Sequence, residues 1–161
     1  MRVERLMIKQ VASCPSHDNL ERAAQVMCEL DCGCVPIIDS NAKVVGMLTD
    51  RDICMAAYYQ GRALGQIPVT SAMSKDVYAC LPEDDLTVAE FIMERKQVHR
   101  LPVIDDDGCL VGLLSLTDIA RRAAEEEGKK RIRKGLKPVE VTHTLAAISQ
   151  PRPESFPLQD F

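Results

Sequence analysis

The sequence predicts a mixed fold of the α/β (α+β) class, built from two copies of one β-α-β-β-α unit and followed by a helical, then extended, tail. Three observations predict it. Shifting the chain by 66 residues aligns 7–57 with 73–123 without a gap and with 17 identities in 51 positions. Matches such as Cys14/Cys80, Leu20/Leu86, Met27/Met93, Pro36/Pro102 and Gly46/Gly112 mark a duplicated unit. Within each copy a helical apolar pattern stands between short apolar runs. Finally, both copies carry Gly-apolar-apolar-hydroxyl-x-x-Asp at the same strand-to-helix junction. Two copies are too few for a solenoid, so the units are expected to pair face to face.

The elements follow in order. Val11–Cys14 and Val77–Cys80 read as short opening strands. Leu20, Ala23, Ala24 and Met27, and in the second copy Leu86, Ala89, Ile92 and Met93, recur at helical spacing. Val35–Ile38 and Val44–Leu48 then flank the polar turn Asp39-Ser40-Asn41, while Leu101–Ile104 and Leu110–Leu114 flank Asp105-Asp106-Asp107-Gly108. Both are hairpin signals. A second helix begins near Asp50 and near Leu116. The first repeat thus runs over 5–60 and the second over 73–126, with 61–72 as a linker carrying Gly61, Gly65 and Pro68. In the tail, 127–161, a basic helical stretch precedes Gly135 and Pro138. Val141, Leu145 and Ile148 then predict a short amphipathic helix, and Pro151–Phe161 reads as extended.

Composition narrows the function. The 161 residues are 46% hydrophobic and 27% charged, enough for a core and for solubility. Three Tyr, three Phe and no Trp argue against stacking single-stranded bases. No apolar run is long enough to span a membrane, and Met1-Arg2-Val3-Glu4-Arg5 is unlike a signal peptide. Seven cysteines, an odd number spread along the chain, fit reduced thiols in a cytoplasmic protein. Residues 128–137 hold six of the 20 cations and no anion, leaving 14 cations against 24 anions elsewhere. A body so acidic repels nucleic acid. The basic run could touch nucleic acid or anionic lipid, but it reads equally as a solvated helix end. No nucleophile–base pair, metal motif or glycine-rich phosphate loop is visible, so the chain is not expected to be an enzyme or to require a cofactor.

The repeated chemistry lies at Gly46-Met47-Leu48-Thr49-Asp50-Arg51-Asp52 and Gly112-Leu113-Leu114-Ser115-Leu116-Thr117-Asp118. A hydroxyl three residues before an acid is a helix capping box. The same geometry suits a nucleotide, since a helix N-terminus attracts phosphate and an Asp one turn in can accept both hydroxyls of a ribose. Cap and site can coexist.

Residues 5–125 resemble a tandem pair of CBS domains, also called a Bateman module. The likeness rests on Val-Pro-Ile-Ile-Asp and Leu-Pro-Val-Ile-Asp, the two glycine-led motifs, and Thr-Asp-Arg-Asp-Ile beside Leu-Thr-Asp-Ile. It implies a stand-alone sensor whose two repeats pack about a pseudo-two-fold axis and leave two clefts. Such clefts bind adenosine ligands: AMP, ADP, ATP, NAD or S-adenosylmethionine, with AMP the first expectation. Carried across, Thr49 with Asp52 and Ser115 with Asp118 match the hydroxyl and ribose positions, and Arg51 a phosphate-meeting arginine. The stretches before the middle-strand prolines, Gly33-Cys34-Val35-Pro36 and His99-Arg100-Leu101-Pro102, match those that hold adenine. His99-Arg100 resembles the phosphate-contacting pair of the AMP-activated kinase γ subunit. The first copy has Gly33-Cys34 there, so the clefts should differ, although the sequence leaves open which cleft the pair serves. The likeness also implies a homodimer formed through helices such as 19–32, 50–60 and their second-copy counterparts, where Ile53, Met55, Ala56, Ala57, Ile119 and Ala123 exceed one buried stripe.

Two other readings stand beside the nucleotide sensor that reports to an unidentified protein partner. One is a ligand-independent scaffold in which the motifs only cap helices. The other is a redox or metal sensor built on Cys28, Cys32 and Cys34, with His17 or His99 as a further ligand. The second copy has Glu94, Val98 and Arg100 at the cysteine positions, so that cluster lies outside the shared design.

Overall fold

A computed structural model of the chain describes residues 1–128 and 138–148. The basic run expected from residue 129 and the extended end, Pro151–Phe161, lie outside the described residues. Among the described residues five α-helices, α1 (Leu20–Glu29), α2 (Asp50–Gln60), α3 (Leu86–Lys96), α4 (Leu116–Gly128) and α5 (Pro138–Ile148), accompany five strands. β1 (Cys14–Pro15), β2 (Cys34–Ile38) and β3 (Val44–Thr49) form one sheet in the order β1-β2-β3, and β4 (Arg100–Ile104) pairs with β5 (Leu110–Ser115) in another. The α+β class and the duplication are both present. None of the described helices is long and apolar enough to cross a membrane.

The opening strands are shorter than the sequence predicts, and proline is the reason. The first strand is only Cys14–Pro15, parallel to β2 with Cys14 facing Ile37. In the second copy it shrinks to a single bridge, Cys80 to Val103, held by Cys80 N–H donating to Pro102 O at 3.2 Å and Ile104 N–H to Cys80 O at 3.0 Å. The next rung upstream in a parallel ladder would need an N–H from Pro36 or Pro102. Proline has none.

Each copy has its own core. Leu20, Ala23, Val35, Ile37 and Leu48 centre the first, and Leu86, Ala89, Met93, Leu101 and Leu114 the second. Residues from the segment 61–72 enter the first core through Ile67 and Val69, and Val3 occupies the corresponding place in the second. This is an exchange of leading segments. Leu20 N–H donates to Ile67 O at 2.9 Å, and Leu86 N–H to Met1 O at 2.7 Å. Ser74, which leads the second copy, bridges Met47 of the first, while Ile8 bridges Leu113 of the second. The motif glycines permit it: a Cβ on Gly46 would stand 2.5 Å from Met73 Sδ, and one on Gly112 would stand 2.6 Å from Met7 Sδ.

The copies also join at their hairpin turns, where Lys43 bridges Cys109. These two residues are repeat counterparts, 66 positions apart, as required when a pseudo-two-fold axis passes between them. Asp39 and Asp105 shape the turns identically, each Oδ1 accepting two backbone N–H groups.

The expected C-terminal helix is present as α5, which packs on α3 and α4. Ile148 and Thr144 are buried, whereas Leu145 is 50% exposed.

Candidate functional site

Both strand-to-helix junctions are complete capping boxes. Thr49 Oγ1 donates to Asp52 Oδ2 at 2.7 Å, Thr49 N–H reaches the same oxygen at 2.9 Å, and Asp52 N–H donates back to Thr49 Oγ1 at 3.2 Å. Ser115 and Asp118 repeat the arrangement, with N–H to Oδ2 at 3.1 Å and the return bond at 3.2 Å. The cap uses only Oδ2 of each carboxylate, and the two oxygens of an ionised carboxyl offer about four lone-pair sites. Asp118 Oδ1 lies 3.7 Å from Arg121 Nη1. Asp118 is nearly buried and Asp52 half-buried, so the second carboxylate is the more enclosed.

Sheet register brings the other predicted residues to these caps. Cys34 pairs with Thr49 across β2 and β3, and Arg100 pairs with Ser115 across β4 and β5. A backbone bond from each helix start closes the corner: Asp50 N–H to Gly33 O at 3.2 Å, and Leu116 N–H to His99 O at 2.9 Å. Pro36 and Pro102 follow within their strands and are buried, while Arg51, His99 and Arg100 are exposed.

Arg100 reaches across the seam between the copies. A Cβ on Gly33 would stand 3.9 Å from Arg100 Nη2 and 3.3 Å from Asp50 Oδ2. The neighbouring Cys34 thiol is pushed above its ordinary pKa by burial, and the Arg100 guanidinium pulls the other way. The second copy's cation therefore stands beside the first copy's Gly33-Cys34 corner. The sequence predicted neither Asp50 nor Gly33 as its neighbour. Their only signal was that the repeat counterparts, Leu116 and His99, have different chemistry.

A cleft of about 320 Å³ opens at the second junction. His99, Arg100, Ser115 and Thr117 supply its polar side, and Val141 and Leu145 of α5 an apolar one. The α5 contribution was also missed, because an amphipathic pattern identifies a helix without saying where it docks. Nothing corresponds to α5 after the first copy, where α2 leads into the short turns Leu64–Gln66 and Val69–Ser71.

The remaining candidates separate. Cys28 is exposed, Cys32 half-buried and Cys34 buried. Among the described residues no three His, Cys, Asp or Glu side chains are grouped to hold a metal ion. Cys14 and Cys80 are core residues, their thiol pKa values pushed up by burial to about 11 and about 12. Of the helix residues expected to be in excess of one buried stripe, Ile53, Ala56, Ile119 and Ala123 are consumed by their own cores. Met55 of that set is exposed as expected, and beside it on α2 and α3 stand the exposed Tyr58, Tyr59, Val88 and Phe91.

Comparison with known proteins gives a consistent family. The model of the CBS domain matches residues 3–59 and 65–125. CBS domain-containing protein YhcV of Bacillus subtilis is 36% identical over 118 residues, which is 73% of this chain and 82% of that protein. A homoserine O-acetyltransferase of Methanohalobium evestigatum is 31% identical over 76% of this chain, but the chain spans only 24% of that enzyme. Among solved structures, Hypoxic Response Protein I with two coordinated zinc ions aligns with TM-score 0.69 and 31% identity, over 75% of this chain and 98% of that one. The CBS domain pair of protein MJ0100, in complex with 5-methylthioadenosine and S-adenosyl-L-methionine, has TM-score 0.67 and 23% identity over 75% of this chain and 98% of that one.

Proposed function

The chain belongs to the CBS-domain family, and from that premise we propose that it is a cytosolic regulatory module that binds an adenine nucleotide, AMP foremost, and has no catalysis of its own. The observation that carries the reading is the convergence at the seam. Each copy sets a capped helix start beside the middle-strand corner, Thr49 opposite Cys34 and Ser115 opposite Arg100, and Arg100 of the second copy reaches the Gly33 corner of the first. In this reading Asp52 and Asp118 accept ribose hydroxyls through Oδ1, and Thr49 and Ser115 hold the carboxylates in place. Arg51, His99 and Arg100 neutralise phosphate. The backbone between Cys34 and Pro36, and between Arg100 and Pro102, lies against the base. The adenosine ligands of the MJ0100 pair support this ligand class. Binding shifts the balance between two arrangements of the copies in proportion to its preference for one of them, and a protein partner reads the difference.

Thermal denaturation of the full chain with AMP, ADP, ATP, NAD and S-adenosylmethionine tests the proposal. A ligand at about 100 times its dissociation constant adds about 2.7 kcal/mol, which raises the melting temperature by several degrees. Asp118→Asn is expected to lower nucleotide affinity at least about tenfold through loss of a charge-assisted bond, with the unliganded fold weakened by only about 1 kcal/mol. No shift with any of these ligands at millimolar concentration overturns the reading. The completed capping boxes favour one second reading, a ligand-independent scaffold, and that outcome would put it ahead.

A further inference from the structure

We propose that α5 is the apolar wall of the second cleft, and that a nucleoside monophosphate held there clamps α5 onto α3 and α4. This rests on the nucleotide reading above and adds its regulation.

The helix lies beyond both segments that match the family model, 3–59 and 65–125. It is anchored at its far end, with Ile148 and Thr144 only 5% and 4% exposed. Leu145, one residue from Thr144, is half exposed yet lines the cleft with Val141, across from His99, Arg100, Ser115 and Thr117. One side thus offers a cation and hydroxyls and the other offers branched aliphatic carbon. That polarity matches a ligand with an anionic group at one end and a flat apolar ring at the other.

The cleft, about 320 Å³, falls within the range of about 300–1,000 Å³ for small-molecule sites.

Coupling follows from helix physics. An isolated helix shorter than about 12–15 residues is marginal in water, and α5 spans 11. Its helicity therefore depends on docking, and a ligand touching both α4 and α5 stabilises the docked form. When the ligand leaves, α5 loosens and the α3–α4 surface beneath it is uncovered. Occupancy of one cleft is thereby converted into exposure of a helix face. Among the described residues, no helix follows the first copy as α5 follows the second.

Hydrogen exchange on the full chain, with and without AMP, tests this alongside titrations of AMP and adenosine into Leu145→Glu. The same change at Leu30, which is 60% exposed on the first copy, serves as the control. AMP is expected to slow exchange across 141–148 at least about tenfold. Leu145→Glu is expected to weaken adenosine by about tenfold, the scale of losing one leucine's burial, and AMP by at least as much because the added carboxylate repels phosphate, with its melting temperature unchanged. Leu30→Glu leaves both affinities as they were. If AMP binds but α5 exchange does not change, or Leu145→Glu binds as tightly as the parent chain, the clamp is overturned while the nucleotide reading survives. If neither AMP nor adenosine binds the parent chain, the clamp falls, and the nucleotide reading falls with it only where ADP, ATP, NAD and S-adenosylmethionine also fail to bind.

Discussion

At Ala42 the chain has a left-handed backbone, φ 61°, where its repeat counterpart is Gly108 at φ 84°. A Cβ in that region costs about 1–2 kcal/mol, so the first hairpin is strained where the second is relaxed. Ala42→Gly should raise stability by about 0.5–1 kcal/mol, the strain relieved less the extra freedom of glycine in the unfolded chain. Gly46→Ala should do the opposite. Its Cβ would meet Met73 Sδ at 2.5 Å and the fixed Ser74 carbonyl at 3.0 Å, an overpacking worth about 1–3 kcal/mol. Urea midpoints of the two variants check both signs. The glycines were legible in the sequence as motif members, but their reason was not. A repeat alignment matches Met7 with Met73 without revealing that each lies on the other copy's sheet.

At the scale of elements, the helices were the more legible. Leu20, Ala23 and Met27 set the stripe of α1, and Thr49 with Asp52 fixed the start of α2. The opening strands were over-read, because apolar pattern says nothing of the missing N–H on Pro36 and Pro102 that ends the ladder. Helix faces were over-read in another way. Ile53, Ala56, Ile119 and Ala123 looked surplus but are absorbed because each copy packs both its helices on one small sheet. What remains outside is Tyr58 and Tyr59, each 66% exposed, with Met55 on α2 and Phe91 on α3. Aromatic and methionine side chains of this kind are enriched in interfaces. Light scattering should therefore give twice the 17.9 kDa chain mass, and Tyr58→Glu with Tyr59→Glu should return it to the monomer. A monomeric parent chain would remove the dimer from the account.

Across the whole molecule, exchanged leading segments and the Lys43–Cys109 bridge bind two similar units about one axis, and the differences between the units are concentrated near it. The duplication was visible as 17 identities, and the candidate corners were visible as motifs. What no sequence pattern gave was direction: that Arg100 leans toward Gly33 and Asp50 across the seam, and that α5 lies over the second corner. Both are long-range placements set by packing. Arg100 is also where the account is most exposed to test, because a guanidinium can fork two hydrogen bonds onto one phosphate and has nothing to offer an uncharged nucleoside there. Calorimetric titration of AMP and of adenosine into the parent chain and into Arg100→Ala measures this directly. Arg100→Ala is expected to lose at least about tenfold in AMP affinity, the scale of one charge-assisted bond, with adenosine affinity held. Equal losses for AMP and adenosine would contradict it and make Arg100 a residue that shapes the seam without meeting phosphate.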